Sequence, residues 1–371
     1  MTPTSLFNRS RTLAIWAVCA ACLPFTACKK TEEAAPAAAP TPEAAAPASA
    51  TAPAAEPPAK PDSKVPLTAK WPAGKRLVVR TETQTELEMG APGTAVASKT
   101  ESQLGQDIAF IPLAERPGGG SEVEVQVTAV TVENRSGGKV ISSFDPKADP
   151  KMDARNPLAP TLRKLVGTKL KYHTLADGKI EKVDGVPQLL SRLNTGATPQ
   201  AMFLVRSLVN EDAIKSWNTP HQGLPAQPVQ PGEAWEVKRD IPFGPTKFTL
   251  AGTNTFAAWA QRNNKRVAKL VFTGTMAMKE GATGPVTLGE GATVTGTSWY
   301  DPDLGVIEEA ESLSQFTVNV AQSTGQTMSS KYKAKQTSKL VEFSDSGSGT
   351  PAVSEANAPA AAPAPKTAAP K

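Results

Sequence analysis

The sequence predicts a mainly β protein of the α+β kind: a large curved antiparallel sheet, or half-barrel, with about three covering helices. Three observations predict it. Long stretches alternate between apolar and polar residues with period two, the signature of strands with one solvated face. Turn-forming residues separate these stretches at 90–93, at Asp177-Gly178, at Asn263-Asn264 and at 301–305. Only between Asp145 and Trp217 does the period change to that of helices.

Taken in order, the first strand covers 76–88, with Leu77, Val79, Thr81, Thr83, Thr85 and Leu87 on one face and Arg80, Glu82, Gln84, Glu86 and Glu88 on the other. Strands follow at 99–111 and 122–133. In the latter, Val123, Val125 and Val127 alternate until Val130 and Val132 shift the pattern, which predicts a bulge near Thr128. Asn156-Pro157 opens a helix carrying Leu158, Leu162, Leu165 and Val166, stopped by Gly167. A hairpin at 169–183 turns on Asp177-Gly178. Gly185-Val186-Pro187 opens a second helix with Leu189, Leu190 and Leu193, and Thr198-Pro199 a third with Met202, Phe203, Val205, Leu208 and Val209. A Pro-rich loop at 220–231 leads to a meander of strands at 235–241, 247–261, 266–279, 293–300, 305–320 and 327–343, with turns at 281–291 and 323–325 besides those named above. Lys331, Lys333 and Lys335 share a face of the last strand, the pattern of an exposed sheet edge.

The ends of the 371-residue chain lack the bulk for a core. Residues 28–64 and 344–371 are dominated by Ala and Pro, which predicts a disordered tether and a disordered tail around a β-rich globular region at 65–343 with a helical insert at about 156–217. Arg9, Arg11, a short apolar run and small residues before Cys28 make 1–27 a secretory signal. The run is too short to span a bilayer, which takes about 20 apolar residues. The order of these features resembles a bacterial lipoprotein signal, which implies that Cys28 carries a lipid, with Cys22 the alternative, and that the membrane is reached through that lipid. Lys29 after the cysteine implies, by the same resemblance, the periplasmic side of the outer membrane.

The formal charge of +5 falls to +3 without Arg9 and Arg11, and the lysines are dispersed among acids, so nucleic acid is not a predicted partner. All three cysteines lie at or before position 28, which excludes disulfides and thiolate metal sites from the globular region.

Three short segments carry a further resemblance: Trp71-Pro72-Ala73-Gly74; Leu165-Val166-Gly167-Thr168-Lys169-Leu170 followed by Asp177-Gly178-Lys179-Ile180; and Leu224-Pro225 leading to Val229-Gln230-Pro231-Gly232-Glu233-Ala234-Trp235. With them the layout resembles an uncharacterised family of bacterial lipoproteins known only as a domain of unknown function, over roughly 66–343. That resemblance implies no activity. More loosely, the strand and helix pattern is similar to periplasmic half-barrel carriers of lipids and lipoproteins, an analogy of fold alone.

Chemistry-bearing patterns are sparse. The sequence holds no Gly-x-Ser-x-Gly elbow, phosphate loop or dinucleotide fingerprint. His173 and His221 read as an ordinary strand and an ordinary loop histidine. Asp145, Asp149 and Asp153, interrupted by prolines and lysines, read as a solvated loop rather than a calcium site. No catalytic residue, metal or cofactor is predicted. The expected role is non-catalytic: an envelope protein that binds an apolar ligand or partner segment, or, alternatively, a scaffold for other envelope proteins, with an enzyme of unidentified class as the third reading. The candidate binding positions are Leu162, Leu190, Phe203, Leu270, Phe272 and Met276, on the helices and on an apolar strand stripe.

Overall fold

A computed structural model describes residues 63–90, 98–198, 201–202, 209–243, 246–281, 286–321 and 326–347. The secretory signal, Cys22, Cys28, the tether, the tail beyond 347, Phe203 and parts of the turns at 90–93, 281–291 and 323–325 lie outside the described residues.

The strands are β1 (Lys75–Gly90), β2 (Ser98–Glu115), β3 (Ser121–Ser136), β4 (Lys139–Phe144), β5 (Lys169–Thr174), β6 (Ile180–Asp184), β7 (Ala234–Phe243), β8 (Thr246–Arg262), β9 (Lys265–Met278), β10 (Val286–Leu288), β11 (Thr293–Asp301), β12 (Val306–Ala321) and β13 (Thr327–Asp345). They form one 13-stranded antiparallel sheet in the order β6-β5-β3-β2-β1-β13-β12-β11-β9-β8-β7, with β4 added to β3 and β10 to β12. The α-helices described over their full length are α1 (Ala159–Leu165), α2 (Val186–Asn194) and α3 (Glu211–Lys215), and short 3-10 turns lie at Pro150–Arg155 and Thr219–His221. The mainly β architecture with a few covering helices is thus the one the alternation predicts.

The sheet is rolled, not flat. Phe248 on β8 and Phe316 on β12 are three strand spacings apart in the sheet order, which would separate them by about 14 Å on a flat surface, yet their ring centroids are 6.3 Å apart. The bulge predicted near Thr128 is present: Asp107 pairs with Ala129 and Ile108 with Val127, leaving Thr128 as the extra residue. Its hydroxyl donates to the Asp107 carbonyl at 3.0 Å. The Asp177-Gly178 turn is closed by the Leu175 amide donating to the Lys179 carbonyl at 2.8 Å. At the β8–β9 turn, Asn263 and Asn264 adopt φ values of 50° and 61°, a left-handed pair that asparagine tolerates and a two-residue hairpin requires.

Several elements differ from the sequence reading, each for a physical reason. The lysine stripe of β13 does not mark an edge. The last strand pairs with the first, so β13 lies between β1 and β12, and Lys333 and Lys331 stand opposite Glu86 and Glu88. The lysines match a facing acidic row rather than repel another sheet. Helix α1 begins at Ala159, with Pro160 in its first turn; Asn156 instead makes a local turn, its side-chain oxygen accepting from the Leu158 amide at 2.9 Å. Strand β4, strand β10 and α3 were not anticipated, being three to six residues long and too short for a clear period. Of the third predicted helix, Met202 donates its amide to the Thr198 carbonyl at 2.9 Å, as a helix start requires; 203–208 lie outside the described residues.

The helices cover one end of one face. Leu77, Phe110, Val123 and Val125 of the sheet meet Leu162, Leu165, Leu189, Leu193 and Ile214 in the largest buried cluster. Each such side chain contributes about 1.5–3 kcal/mol by leaving water. Tyr172 at its centre donates its hydroxyl to the Ile214 carbonyl, tying β5 to α3, and burial pushes its phenol far above the ordinary range. A second cluster gathers Leu67, Val229, Phe256, Leu270, Tyr300 and Ile307. It pins the chain before β1 in place: Val65 bridges Val229, Tyr300 donates to the Thr68 carbonyl at 2.8 Å, and the Lys70 amide donates to the Gly305 carbonyl at 3.0 Å.

Candidate binding cleft

Directly opposite residues on paired strands project from the same face of a sheet, so the register fixes which side chains meet. One row runs from Glu133 through Gln103, Gln84, Lys335, Leu313 and Thr295 to Thr273. A neighbouring row holds Arg135, Glu101, Glu86 and Lys333. Both rows lie on the face opposite Leu77, Phe110 and the helices. They line a cleft of about 750 Å³ that spans seven consecutive strands, from β3 to β9.

The cleft is polar. Lys99, Arg135, Lys333 and Lys335 are balanced by Glu86, Glu101, Glu133 and Glu311, among threonines, serines and glutamines. Lys99 reaches Glu86 at 3.0 Å and Glu101 at 3.6 Å, Lys333 reaches Glu86 at 3.7 Å, and Arg135 reaches Glu133 at 2.7 Å. Hydrogen bonding from Lys99, with the attraction of Lys99 and Lys333, holds the Glu86 carboxyl below its ordinary range. Such an array offers both donors and acceptors across a floor seven strands wide. It places no nucleophile against a base among its described contacts.

The described candidate apolar positions fall into three separate clusters rather than one site. Leu162 is buried in the helix-covered cluster, and Leu190 packs against that cluster from α2. Leu270 belongs to the cluster that pins 65–71, and Met276 to a third cluster with Leu250, Ala292 and Val294. Phe272 packs against that third cluster and also borders the cleft, the one described candidate to do so. Phe203 lies outside the described residues.

His173 acquires partners that linear spacing could not show. Its Nε2 lies 2.7 Å from Asp184 and its Nδ1 3.7 Å from Glu122, within a ladder that includes Lys171–Glu122 and Lys182–Asp184 pairs. These groups sit on β3, β5 and β6, away from the cleft; the Lys171–Glu122 pair and the His173 contacts cross between strands, while Lys182 and Asp184 share β6. The three aspartates at 145–153 serve their own loop: Asp145 and Asp149 accept from the Lys147 and Lys151 amides at 2.8 and 2.9 Å, and Asp153 pairs with Arg163. Among the described residues, no group of three or more candidate ligands could hold a metal ion.

The cleft residues escaped the sequence reading because each strand face, taken alone, looks merely solvated. Only the pairing of first and last strands brings 84–86, 99–103 and 333–335 onto one floor.

Over residues 119–307 the chain matches the model of a family of unknown function (DUF6263). The chain belongs to this family. The match includes the Leu165–Leu170, Asp177–Ile180 and 224–235 segments, and this family of unknown function brings no activity with it. No curated protein matches the chain. Among solved structures, lipovitellin, in a study of lipid–protein interactions, is similar at 15% identity and a TM-score of 0.41, covering 80% of this chain; the chain spans only 27% of that one. An exported protein of YmcC-like fold from Bacteroides fragilis is similar at 12% identity and a TM-score of 0.27, covering 75% of this chain and 99% of its own. DynF of the dynemicin pathway of Micromonospora chersina gives 7% identity and a TM-score of 0.17, covering 75% and 85%. Likenesses this loose leave function to the residues themselves.

Proposed function

We propose that this chain is a lipid-anchored, non-catalytic binding protein of the bacterial envelope that holds a partner segment in the cleft of its sheet. The observation that carries the reading is the cleft itself: about 750 Å³ of open space floored by seven strands and lined by charges of both signs. A floor seven strands wide with mixed donors and acceptors suits an extended segment better than a compact substrate. The anchor rests on the sequence, where Cys28 ends a lipoprotein-like signal and Lys29 favours the outer membrane. Some 36 residues of Pro-rich tether, at about 3.1 Å each, reach on the order of 100 Å, so the sheet operates well away from its lipid.

The test is photo-crosslinking in cells, with a photoreactive residue placed at Gln84 or Thr297 in the cleft and, as control, at exposed Lys182 on β6. Discrete adducts of reproducible mass from the two cleft positions but not from Lys182 are expected. Equal labelling at all three, or none in the cleft, removes the reading. Labelling with radioactive palmitate, lost on Cys28→Ser, tests the anchor separately.

A further inference from the structure

The opposite face of the sheet carries a charge out of place. On edge strand β7, Trp235, Val237, Arg239 and Ile241 pair with Asn254, Gly252, Leu250 and Phe248, so all four project to the apolar side. Leu250 and Phe248 are each 1% exposed, in two of the apolar clusters, and Ile241 packs against Leu250 and Met276. Arg239 is therefore a cation inserted into an apolar row. Among the described residues no carboxylate pairs with it; its Nη1 donates to the Gln222 side-chain oxygen on the loop that crosses this face. Its surroundings strip it of hydration and lower its pKa from the ordinary arginine value, while the residue as a whole stays exposed. A guanidinium kept accessible among apolar walls, with one neutral partner, has unused donors in a fork that fits a carboxylate or phosphate.

The surface beside it is apolar and low. Gly252 and Gly274 face each other in adjacent strands with no side chains, and the Phe272 ring lies over both, its tip within 2.8 Å of where their Cβ atoms would stand. Val237, Ile241 and Phe272 remain half-exposed. We propose that this patch binds a single-chain anionic amphiphile, with the alkyl chain laid along Val237, Ile241 and Phe272 and the acidic head held by Arg239. Charge complementarity selects this occupant: a neutral lipid leaves the guanidinium unpaired, and a bare anion makes no use of the apolar strip.

Arg239, Val237 and Ile241 lie on the face opposite the cleft rows and share only Phe272 with its border, so failure here leaves the partner-segment reading intact. The test titrates the full chain, held in a nonionic maltoside detergent, with myristate, myristyl phosphate, myristyl alcohol and inorganic phosphate, followed by tryptophan fluorescence and calorimetry. Myristate or myristyl phosphate is expected to bind; whichever binds tighter identifies the head. Arg239→Gln is expected to weaken that binding about tenfold, leave myristyl alcohol unchanged, and keep the wild-type melting temperature. Arg239→Lys is expected to retain part of it. Equal affinity of wild type and Arg239→Gln for the acid, binding of inorganic phosphate as tight as the amphiphile, or no binding by any probe overturns the proposal.

Discussion

His221 makes the fold's stability depend on pH, and the size of the effect follows from its surroundings. The imidazole is 8% exposed, with Nε2 donating to the Lys70 carbonyl at 3.1 Å, Nδ1 3.2 Å from the Asn218 side-chain amide, and the Trp71 ring edge-on at a centroid distance of 4.2 Å. Burial pulls its pKa from 6.5 to about 4, against a smaller opposing pull from the backbone of Lys70 and Gly305. Because the folded value lies below the unfolded one, the unfolded chain takes up a proton first as pH falls. The contribution of His221 is complete above about pH 6.5, falls between 6.5 and 4, and levels off below. At 1.36 kcal/mol per pKa unit, moving from pH 7 to pH 5 costs about 2 kcal/mol through this one residue. Urea unfolding followed by tryptophan fluorescence at the two pH values measures it, Trp71 serving as a local reporter. His221→Gln, which keeps an amide donor and does not titrate, is expected to abolish most of that difference whatever its stability at pH 7. The reasoning is refuted by a wild type and a His221→Gln variant that lose equal stability between pH 7 and pH 5.

Two further outcomes test the packing. The buried Asp301 carboxylate accepts the Asp303 and Leu304 amides at 2.8 and 3.0 Å and the Lys265 ammonium at 3.0 Å. Burial pushes its pKa up, but the two amides and Lys265 outweigh it and hold the group below the ordinary aspartate range. Its stabilisation is thus present above the unfolded value and lost as pH falls through the folded one. Asp301→Ala is expected to cost roughly 2–4 kcal/mol at pH 7, and Asp301→Asn to show a shallower acid-unfolding curve below about pH 4. Gly120 has φ of +83°, and a Cβ there would stand 2.1 Å from the Thr174 carbonyl oxygen, so Gly120→Ala is expected to lower stability by more than about 2 kcal/mol. Gly74→Ala, at φ +71° with nothing within 4 Å, is expected to cost only about 1 kcal/mol in the same thermal melts.

What the sequence made legible were the features encoded locally. The alternation Leu77, Val79 through Leu87 is a property of one strand and needs no partner to be seen. The shifted valines of β3 betray the bulge at Thr128 because an extra residue flips every side chain after it. Pairing between distant strands is encoded in no single stretch. Lys331, Lys333 and Lys335 carry the same letters whether they guard an edge or face Glu86 and Glu88 across a central seam, and only the β1–β13 register decides. The cleft was hidden for that reason, being assembled from strands about 250 positions apart. Arg239 did leave a signal, since it occupies the apolar register of Val237 and Ile241. A charge in an apolar row stands out once the row's direction is known.

The most direct test of the binding role is the native mass of the full-length protein, extracted gently from membranes. The account predicts a chain that starts at Cys28, carries added acyl mass, and retains a bound partner that is lost when Thr297 in the cleft is replaced by arginine. A chain without acyl mass, or one that is equally bare of partner with Thr297 and with Thr297→Arg, contradicts it.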